Sequence, residues 1–418
     1  MKRTIYNAIL CTGLLLTTGC DSWIDNAGTP KETLDRKELN KPAMLAIVRG
    51  KNIEDGALTA YVKTVAGEVT SATNLALGAM VDEVDPTKVP NNILYKELHE
   101  DIVRPNSTAT AVWNAQHNLL ARAEELLEIE KTLTEDGTYQ LPAVRAYAQY
   151  TGHLFIGYAY TLLANSFSDE TATAGKVRIK DQWYSHKELY KQAEEQYKKA
   201  IESAENKALA EIGGAFQAET AQRTAYALLV KLYLQTENYT QAAQLWQKAY
   251  KKNDAFAILY NSKGADNGLY AIIGEYARDA EVSSSLVGSL RNTAEEKAVP
   301  TQINKDKNRY LASLNRYSPL IITDDTELLL IQAELILRGK LAGDALLSIN
   351  EVIGKYHEGS KATSTPTLRE ISHLRRVYLA FRGCRITDYR RGLITTAEKN
   401  IWDTRKNKWI PLPELELK

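Results

Sequence analysis

The pattern of hydrophobic and polar positions in residues 222–251 predicts two amphipathic helices folded back on each other. The apolar positions recur at helical steps on one face of each half: Leu229, Val230 and Tyr233 in the first, and Tyr239, Ala242, Trp246 and Ala249 in the second. Residues 236–238 are polar and form a short corner between the halves. The stretch therefore predicts an antiparallel helical hairpin.

Large residues in this hairpin face small ones, as in the tetratricopeptide repeat, where a small residue lets paired helices approach closely. A single copy is equally well explained by any antiparallel helical pair. The same spacing recurs at two further places: Ala193, Tyr197 and Ala200, and again Ala345, Ile349 and Val352. Because a helical repeat buries its face against neighbours, we expect tetratricopeptide-like pairs within about 141–252 and 326–356.

The remaining pattern predicts an all-α fold. Strong helical periodicity covers residues 107–132 and 141–167, whereas residues 66–80 are rich in Ala, Thr and Gly and are ambiguous. Strand-like alternation is scarce, so we expect one mainly α-helical domain over 41–418. Residues 253–319 form a long irregular insert, and an insert of this kind in a helical scaffold is more often functional than linking.

Motifs for catalysis and metal binding are missing from the sequence. There is no G-x-S-x-G, no Walker loop, no G-x-G-x-x-G and no H-E-x-x-H, and the six histidines are scattered. Asp82, Glu83 and Asp85 lack the spacing of a calcium loop and predict a solvated acidic turn. We therefore predict a non-enzyme with no catalytic residue, cofactor or metal site. The alternative is a glycoside hydrolase, which needs only two carboxylates placed in space.

Residues 1–19 have the pattern of a cleaved export signal. A basic start precedes an apolar run that is too short to span a bilayer. The run ends in Gly-Cys, which resembles the lipobox of bacterial lipoproteins and places a lipid on Cys20. Residues 20–40 are polar and are predicted to tether the body to the membrane. The alternative is an ordinary secretory signal with a free cysteine at position 20.

Composition narrows the possible partners. Lys+Arg and Asp+Glu both number 52, so no overall positive field is available to attract nucleic acid. Removal of the signal and lipidation of Cys20 would leave Cys384 alone, without an internal disulfide. Tyrosine is plentiful, at 23 residues against 5 phenylalanines. Its amphipathic ring suits binding grooves and helix seams alike.

The C-terminal half contains three motifs in order. The first comprises an acidic helix start and the residues that follow it: Glu327, Ala333, Glu334, Gly339, Ala345 and Asn350. The second comprises Arg375, Leu379, Phe381, Gly383, Arg385, Asp388 and Arg390, and the third Ile410-Pro411 and Glu414. In this order they resemble motifs of the SusD/RagB family of Bacteroidetes outer-membrane nutrient-uptake lipoproteins, which include the signature "R…L.FEG.R..D..R" and a final "IP..E". Three acidic positions of the signature are replaced, by Leu374, Tyr378 and Arg382.

This resemblance implies surface-exposed capture of a nutrient at the outer membrane, with the lipid-anchored body facing the cell exterior. In the family the ligand is usually a glycan and sometimes a peptide, as in RagB-type proteins. It is delivered to a SusC-like TonB-dependent transporter barrel. Repeat helices form the scaffold that faces the transporter, and irregular segments contact the ligand. A helical-repeat envelope scaffold that binds no nutrient is the competing hypothesis.

The irregular segments supply the candidate ligand-binding residues. Sugar C–H faces stack on aromatic rings, and their hydroxyls pair with amides and charged groups. These requirements point to six residues: Asn92, Tyr95 and His99 in the proline-rich region 81–107, and Tyr260, Tyr270 and Tyr276 in the insert. The alternative role for each is packing or plain surface exposure. Trp113 and Trp246 lie in helical stripes and are predicted to be core, and the charged signature is predicted to form ion pairs within the scaffold.

Overall fold

The structure is a computed structural model. It describes residues 57–86, 97–98, 106–135, 142–211, 218–260, 267–273, 280–301, 312–313 and 315–417. These residues all fall within one compact unit, Ala46–Lys418. The predicted signal, the lipid-bearing Cys20 and the tether lie outside the described residues, as do Asn92, Tyr95, His99 and Tyr276.

The described part of the chain is mainly helical, which confirms the predicted all-α class. Its helices are α1 (Ala57–Met80), α2 (Ser107–Glu135), α3 (Pro142–Ser166), α4 (His186–Ala204), α5 (Ala218–Gln235), α6 (Tyr239–Ala249), α7 (Gly268–Ile273), α8 (Ser284–Gly288), α9 (Thr293–Ala298), α10 (Asp325–Leu337), α11 (Ala345–Tyr356), α12 (Leu368–Tyr378), α13 (Arg385–Arg390) and α14 (Thr396–Thr404). Short 3₁₀ helices cover Lys207–Glu211 and Glu414–Leu417. None of the helices in these ranges combines the length and apolarity needed to cross a bilayer.

The strands are short and pair two by two. They are β1 (Val84–Pro86), β2 (Phe167–Ser168), β3 (Lys176–Ile179), β4 (Gln182–Ser185), β5 (Ala255–Ile258), β6 (Ala280–Val282), β7 (Pro300–Thr301), β8 (Ala312–Ser313), β9 (Leu320–Asp324) and β10 (Ile410–Pro411). Pairs β1–β6, β3–β4 and β5–β9 are antiparallel, and pairs β2–β10 and β7–β8 are parallel. These pairs join distant parts of a helical scaffold rather than forming a layer of their own.

The predicted hairpin in residues 222–251 is confirmed as α5 and α6. Its corner begins where the Asn238 N–H donates to the Tyr233 carbonyl over 2.7 Å, and Glu237 adopts φ 58° to close the turn. Trp246 is buried as predicted, and its indole N–H donates to the Leu328 carbonyl over 2.7 Å. That bond fixes the hairpin to α10, so the pair has a packing neighbour, as a repeat requires.

Small residues allow close helix contacts in the repeat region. A methyl group on Gly157 of α3 would lie 2.8 Å from a ring carbon of Tyr197 on α4, closer than packed atoms approach. Tyr197 is fully buried, and its hydroxyl lies 3.1 Å from the hydroxyl of Thr161. Any side chain at residue 157 would push the two helices apart, because protein cores are close-packed.

The ambiguous stretch 66–80 is helical and belongs to α1. This helix contacts α2, α3, β5, α7 and α13, so neighbours surround most of its circumference. From Val69 to Met80 every side chain except Ala72 is buried, so this part of the helix has no polar face and its sequence shows no amphipathic period. Small side chains such as Ala66, Gly67 and Ser71 suit the close approach of several neighbours.

The predicted solvated acidic turn after α1 is wrong for Glu83, whose side chain is buried at 1 % exposure. The Phe381 N–H donates to one of its carboxylate oxygens over 3.3 Å. Burial raises the pKa of Glu83 to about 7, although the positive charges of Arg385 and Arg376 oppose the shift. Asp85 accepts from the Ser284 N–H over 2.8 Å and so orders the start of α8.

We expect Glu83→Gln to stabilise the protein above neutral pH. The pKa of Glu83 is about 7 in the folded protein and near 4.5 in the unfolded chain, so protonation of this carboxyl stabilises the fold. This stabilisation is fully present below pH 4.5 and is lost as the pH rises through 7. The amide is neutral at every pH, so the variant should gain on the order of 2 kcal/mol at pH 8 and almost nothing at pH 4.5. Urea unfolding of both proteins at the two pH values measures this.

Glu358→Gln is the matched control, because Glu358 is exposed and its replacement should not change stability at either pH. An equal gain for Glu83→Gln at pH 4.5 and pH 8 would show that titration of this carboxyl is not the cause.

Candidate functional site

The irregular insert starts and ends on one pair of strands. β5 and β9 pair antiparallel from Ala255 opposite Asp324 to Ile258 opposite Leu320. Just outside this pair, the Asp325 N–H donates to the Asp254 carbonyl over 3.0 Å. Residues 259–319 are therefore an excursion from a fixed base on the helical scaffold.

Two segments of the insert contact one stretch of α1, and a third segment pairs with one of them. A methyl on Gly67 would lie 2.9 Å from both Ile258 Cγ2 and the Tyr260 hydroxyl, and a methyl on Gly268 would lie 2.7 Å from Ser71 Cβ. The Asn267 N–H donates to the Arg316 carbonyl over 3.0 Å, and its amide Nδ2 donates to the Ser318 carbonyl over 2.7 Å. Residues 258–260 and 267–270 thus pack on α1, and residues 315–318 lie beside the second of these segments.

Side chains of these segments and of the adjoining turn of α1 form what we name the insert surface: the exposed Glu68, Leu259, Arg316 and Tyr317, and the partly buried Tyr260. Tyr317 is 41 % exposed and Leu259 is 76 % exposed. The Arg316 guanidinium lies 5.3 Å from the centre of the Tyr317 ring. The Tyr260 ring is half-buried against the core, and burial, reinforced by the charge of Glu68, raises the pKa of its hydroxyl.

The insert surface combines groups that neutral polar ligands need. Aromatic faces stack on apolar C–H surfaces, while a guanidinium donates hydrogen bonds and a carboxylate accepts them. Backbone bonds between the segments hold these groups in place before any ligand arrives, and a preorganised site avoids part of the ordering cost of binding.

The structure separates the two predicted tyrosines that it describes. Tyr260 reaches the insert surface. Tyr270 is 6 % exposed and lies in the hydrophobic core, where Asn267 Oδ1 accepts from the Leu269 N–H over 2.8 Å at the start of α7. The Tyr270 ring packs in the core below the insert. A direct contact between Tyr270 and a ligand therefore remains a prediction, and the burial of this side chain does not favour it.

Sequence reasoning missed Tyr317 as a surface aromatic. The Tyr317 N–H donates to Asn315 Oδ1 over 2.9 Å, and the Ser318 N–H donates to the Asn315 carbonyl over 3.0 Å. Asn at the first position of such a turn is a recognisable signal. The sequence Asn-Arg-Tyr-Ser could therefore have placed this ring at an exposed corner.

Most of the charged signature forms a buried ion-pair cluster in the scaffold, as predicted, whereas Arg390 donates to the backbone carbonyls of Asn165 and Lys408 over 2.7 Å each. Asp388 is fully buried and pairs with Arg375 Nε over 2.9 Å and with Arg391 Nη2 over 2.7 Å. Burial alone would raise the pKa of Asp388, but these arginines outweigh it and hold the pKa below its ordinary value. Glu334 pairs with Arg391 and, over 2.8 Å, with Arg338.

The acidic start of α10 is also structural. Asp324 pairs with Arg382 over 2.6 Å, and Glu327 lies 2.8 Å from Lys231 Nζ. Arg382 stands where the resembling signature has an acid, and here it provides the positive partner for a buried acid. These charges connect elements of the scaffold and are not available to a ligand.

The described residues form a small cavity and an open groove. The cavity, of about 60 Å³, lies among α1, α3, α5 and α13, with the polar side chains of Asn74, Gln235, Glu327 and Arg375 in its wall. It is far smaller than the 300–1,000 Å³ of typical small-molecule sites and suits a few waters. An open groove of about 640 Å³ runs between α4 and the end of α5, where Tyr190 and Tyr233 line it.

Within the described ranges, no group of three or more His, Cys, Asp or Glu side chains is arranged to hold a metal ion. Cys384 is a free, buried thiol. Burial raises its pKa to about 12, because the thiolate would be poorly solvated.

Comparison with known proteins identifies the fold. No protein-family model matches the chain, and no curated protein does. Solved structures do match, and we describe three. A SusD-like carbohydrate-binding protein from Bacteroides vulgatus is 14 % identical with a TM-score of 0.59, over 80 % of this chain and 83 % of that one.

A laminarin-binding SusD-like protein is 16 % identical with a TM-score of 0.63, over 87 % of this chain and 96 % of that one. Surface glycan-binding protein A from Bacteroides thetaiotaomicron, solved in complex with laminarihexaose, is 16 % identical with a TM-score of 0.60, over 85 % and 97 %. At such identities a likeness establishes architecture rather than activity. The chain has the SusD-like fold.

Proposed function

We propose that this protein captures a neutral glycan at the insert surface and delivers it to a SusC-like TonB-dependent transporter. The observation that carries the proposal is the insert surface itself, in which Tyr260, Tyr317, Arg316 and Glu68 sit on a base fixed to α1. The same fold occurs in a protein described as bound to laminarihexaose. Asn92, Tyr95, His99 and Tyr276 stay candidates for further contacts.

The chemistry of the insert surface suits a sugar better than an ion or a purely apolar ligand. One acid and one base, Glu68 and Arg316, balance in charge, and the exposed ring of Tyr317 offers a face for stacking. An oligosaccharide presents both C–H faces and many hydroxyls, so it can use every group of this surface. Binding needs no bond making or breaking, and we propose a non-catalytic role.

We further propose that lipid on Cys20 anchors the protein in the outer membrane with its body outside the cell. The docking face for the transporter is assigned to the repeat helices. The groove between α4 and α5 is open, about 640 Å³ in volume, and carries Lys191 and Glu194 beside two tyrosines. Co-purification with a large β-barrel from solubilised outer membrane tests this arrangement, and repeated recovery without a barrel would oppose it.

Tyr317→Ala is expected to weaken glycan binding about tenfold, equivalent to about 1.4 kcal/mol, because the variant loses an exposed stacking face. Calorimetry with laminarin, other neutral polysaccharides and oligopeptides provides the measurement. Tyr317→Phe keeps the ring and should retain most of the affinity. Ile401→Ala, at an exposed position on α14, is the distant control and should bind as the native protein does.

The other outcomes distinguish the competing functions. Saturable binding of oligopeptides alone would favour a RagB-type peptide ligand, whose terminal charges could pair with Glu68 and Arg316. Absence of any saturable ligand would favour a helical scaffold for envelope proteins. Release of reducing sugar from the same polysaccharides would point to a glycoside hydrolase.

A further inference from the structure

Trp183 is the most exposed of the tryptophans that the structure describes. Trp113, Trp246 and Trp402 are buried and Trp409 is half-buried, whereas Trp183 is 41 % exposed. Indole is the largest side chain, and leaving so much of it in water forgoes a substantial burial energy. An exposed tryptophan on an ordered element is therefore informative about function.

The β3–β4 hairpin determines what lies beside this ring. Arg178 on β3 is directly opposite Trp183 on β4, and side chains of opposite residues project on the same face of a strand pair. On the other face, Val177 and Ile179 are buried. The hairpin thus packs one face on the core and presents Trp183 and Arg178 together on the outer face.

Acidic groups surround the Arg178 guanidinium on that face. Arg178 Nη1 donates to the Glu416 carbonyl over 3.2 Å, and its guanidinium lies 4.0 Å from the Glu416 carboxylate. Asp181, in the turn of the hairpin, lies 3.6 Å from the same guanidinium. Leu417, in the same 3₁₀ helix as Glu416, is 42 % exposed. We name Arg178, Asp181, Trp183 and Glu416 the hairpin platform.

The hairpin platform is held rigidly. The Asp169 N–H donates to the Lys176 carbonyl over 2.9 Å at the base of the hairpin. A ring nitrogen of His117, on α2, contacts the Arg178 carbonyl at 3.3 Å. Near the tip, Lys180 pairs with Glu124 of α2 over 3.0 Å. The platform therefore rests on α2, whereas the insert surface rests on α1.

We propose that the hairpin platform is a second carbohydrate-binding site, distinct from the insert surface, which stacks one neutral sugar unit on Trp183. This inference rests on the proposed glycan function. The guanidinium of Arg178 would donate to sugar hydroxyls, and the carboxylates of Asp181 and Glu416 would accept from them. Lys176, on the same face, balances the second acid, so the platform carries no net charge to attract an anionic lipid surface.

Two sites on one chain would change how long glycans bind. A polysaccharide held at one site presents its other units to the second at high effective concentration, so avidity exceeds either single affinity. An oligosaccharide too short to reach both sites gains nothing. The platform would thus select for chain length rather than for one monosaccharide.

The test compares Trp183→Ala with Trp183→Phe in the full chain. With laminarin or another neutral polysaccharide that the native protein binds, Trp183→Ala should lose about tenfold in apparent affinity, and Trp183→Phe should lose less. With laminarihexaose as the short ligand, calorimetry should show two sites in the native protein and one in Trp183→Ala. Leu415→Ala, at an exposed position of the neighbouring 3₁₀ helix, is the control for general disturbance, and equal unfolding midpoints show that folding is intact.

The outcomes separate this inference from the function on which it rests. If the native protein binds glycan at one site and Trp183→Ala behaves identically, the platform is not a binding site while glycan capture stands. If Trp183→Ala impairs only binding to lipid vesicles or co-purification with the transporter, the platform contacts a membrane or a protein and the inference is overturned. If the native protein binds no glycan, both proposals fail.

Discussion

Replacing Asp388 with alanine is expected to lower the free energy of unfolding by about 3–5 kcal/mol, because it leaves buried arginines without their partner. Arg375 and Asp388 are both almost completely buried, and their side chains meet at 2.9 Å. Arg391 would keep Glu334, so the greater part of the loss comes from the uncompensated charge of Arg375. Urea unfolding at pH 7 measures the difference.

Asp403→Ala is the matched control for this prediction. Asp403 pairs with Lys399 over 2.5 Å, as closely as the buried pair, but both side chains are more than half exposed. Water already solvates such a pair, so its loss should cost less than about 1 kcal/mol. If the two variants were destabilised equally, burial of the cluster around Asp388 would not be what makes its pairing important.

Trp246→Ala is expected to destabilise the protein by a similar amount, about 3–5 kcal/mol, because it opens a cavity between α6 and α10. The indole stacks on Tyr250 with ring centres 4.8 Å apart and donates to the Leu328 carbonyl. Removing it also leaves that buried carbonyl without its donor, which adds to the cavity cost. Chemical denaturation followed by circular dichroism gives the loss directly.

Two further variants separate these contributions. Trp246→Phe keeps much of the ring and removes the N–H, so it should cost about 1–2 kcal/mol. Trp183→Ala makes the alanine substitution at an exposed tryptophan and should leave stability nearly unchanged. A large loss of stability in Trp183→Ala would mean that the hairpin platform has a role in folding.

Several repeat helices could be predicted from the sequence because each buries only one side. α4, α6 and α11 leave a polar face in water, and this one-sided burial gives their sequences an apolar period of three to four residues. α1 could not be predicted in the same way, since neighbours on several sides remove the period. Glu83 shows the same limit for a single residue, because the backbone of Phe381 that binds it lies far along the chain.

The candidate site could be predicted only in part. An irregular insert rich in tyrosine indicated the right region, and Tyr260 reaches the surface there. Whether a given ring faces water depends on long-range contacts, such as those of Asn267 with Arg316 and Ser318, and these place Tyr270 inside. The pairing of Trp183 with Arg178 depends on the register of the hairpin, which the sequence does not show.

Because β5 and β9 pair with each other, the insert between them could be replaced by another without changing the packing of the helices. The hydrogen bonds between β5 and β9 hold the two ends of the insert together. The position of these ends on the helical scaffold is therefore the same whatever residues lie between them. Doubling the length of such a loop costs only about 0.6 kcal/mol in closure entropy. The insert can therefore diverge in length and composition while the repeats keep their packing, so the same helical scaffold could carry very different inserts.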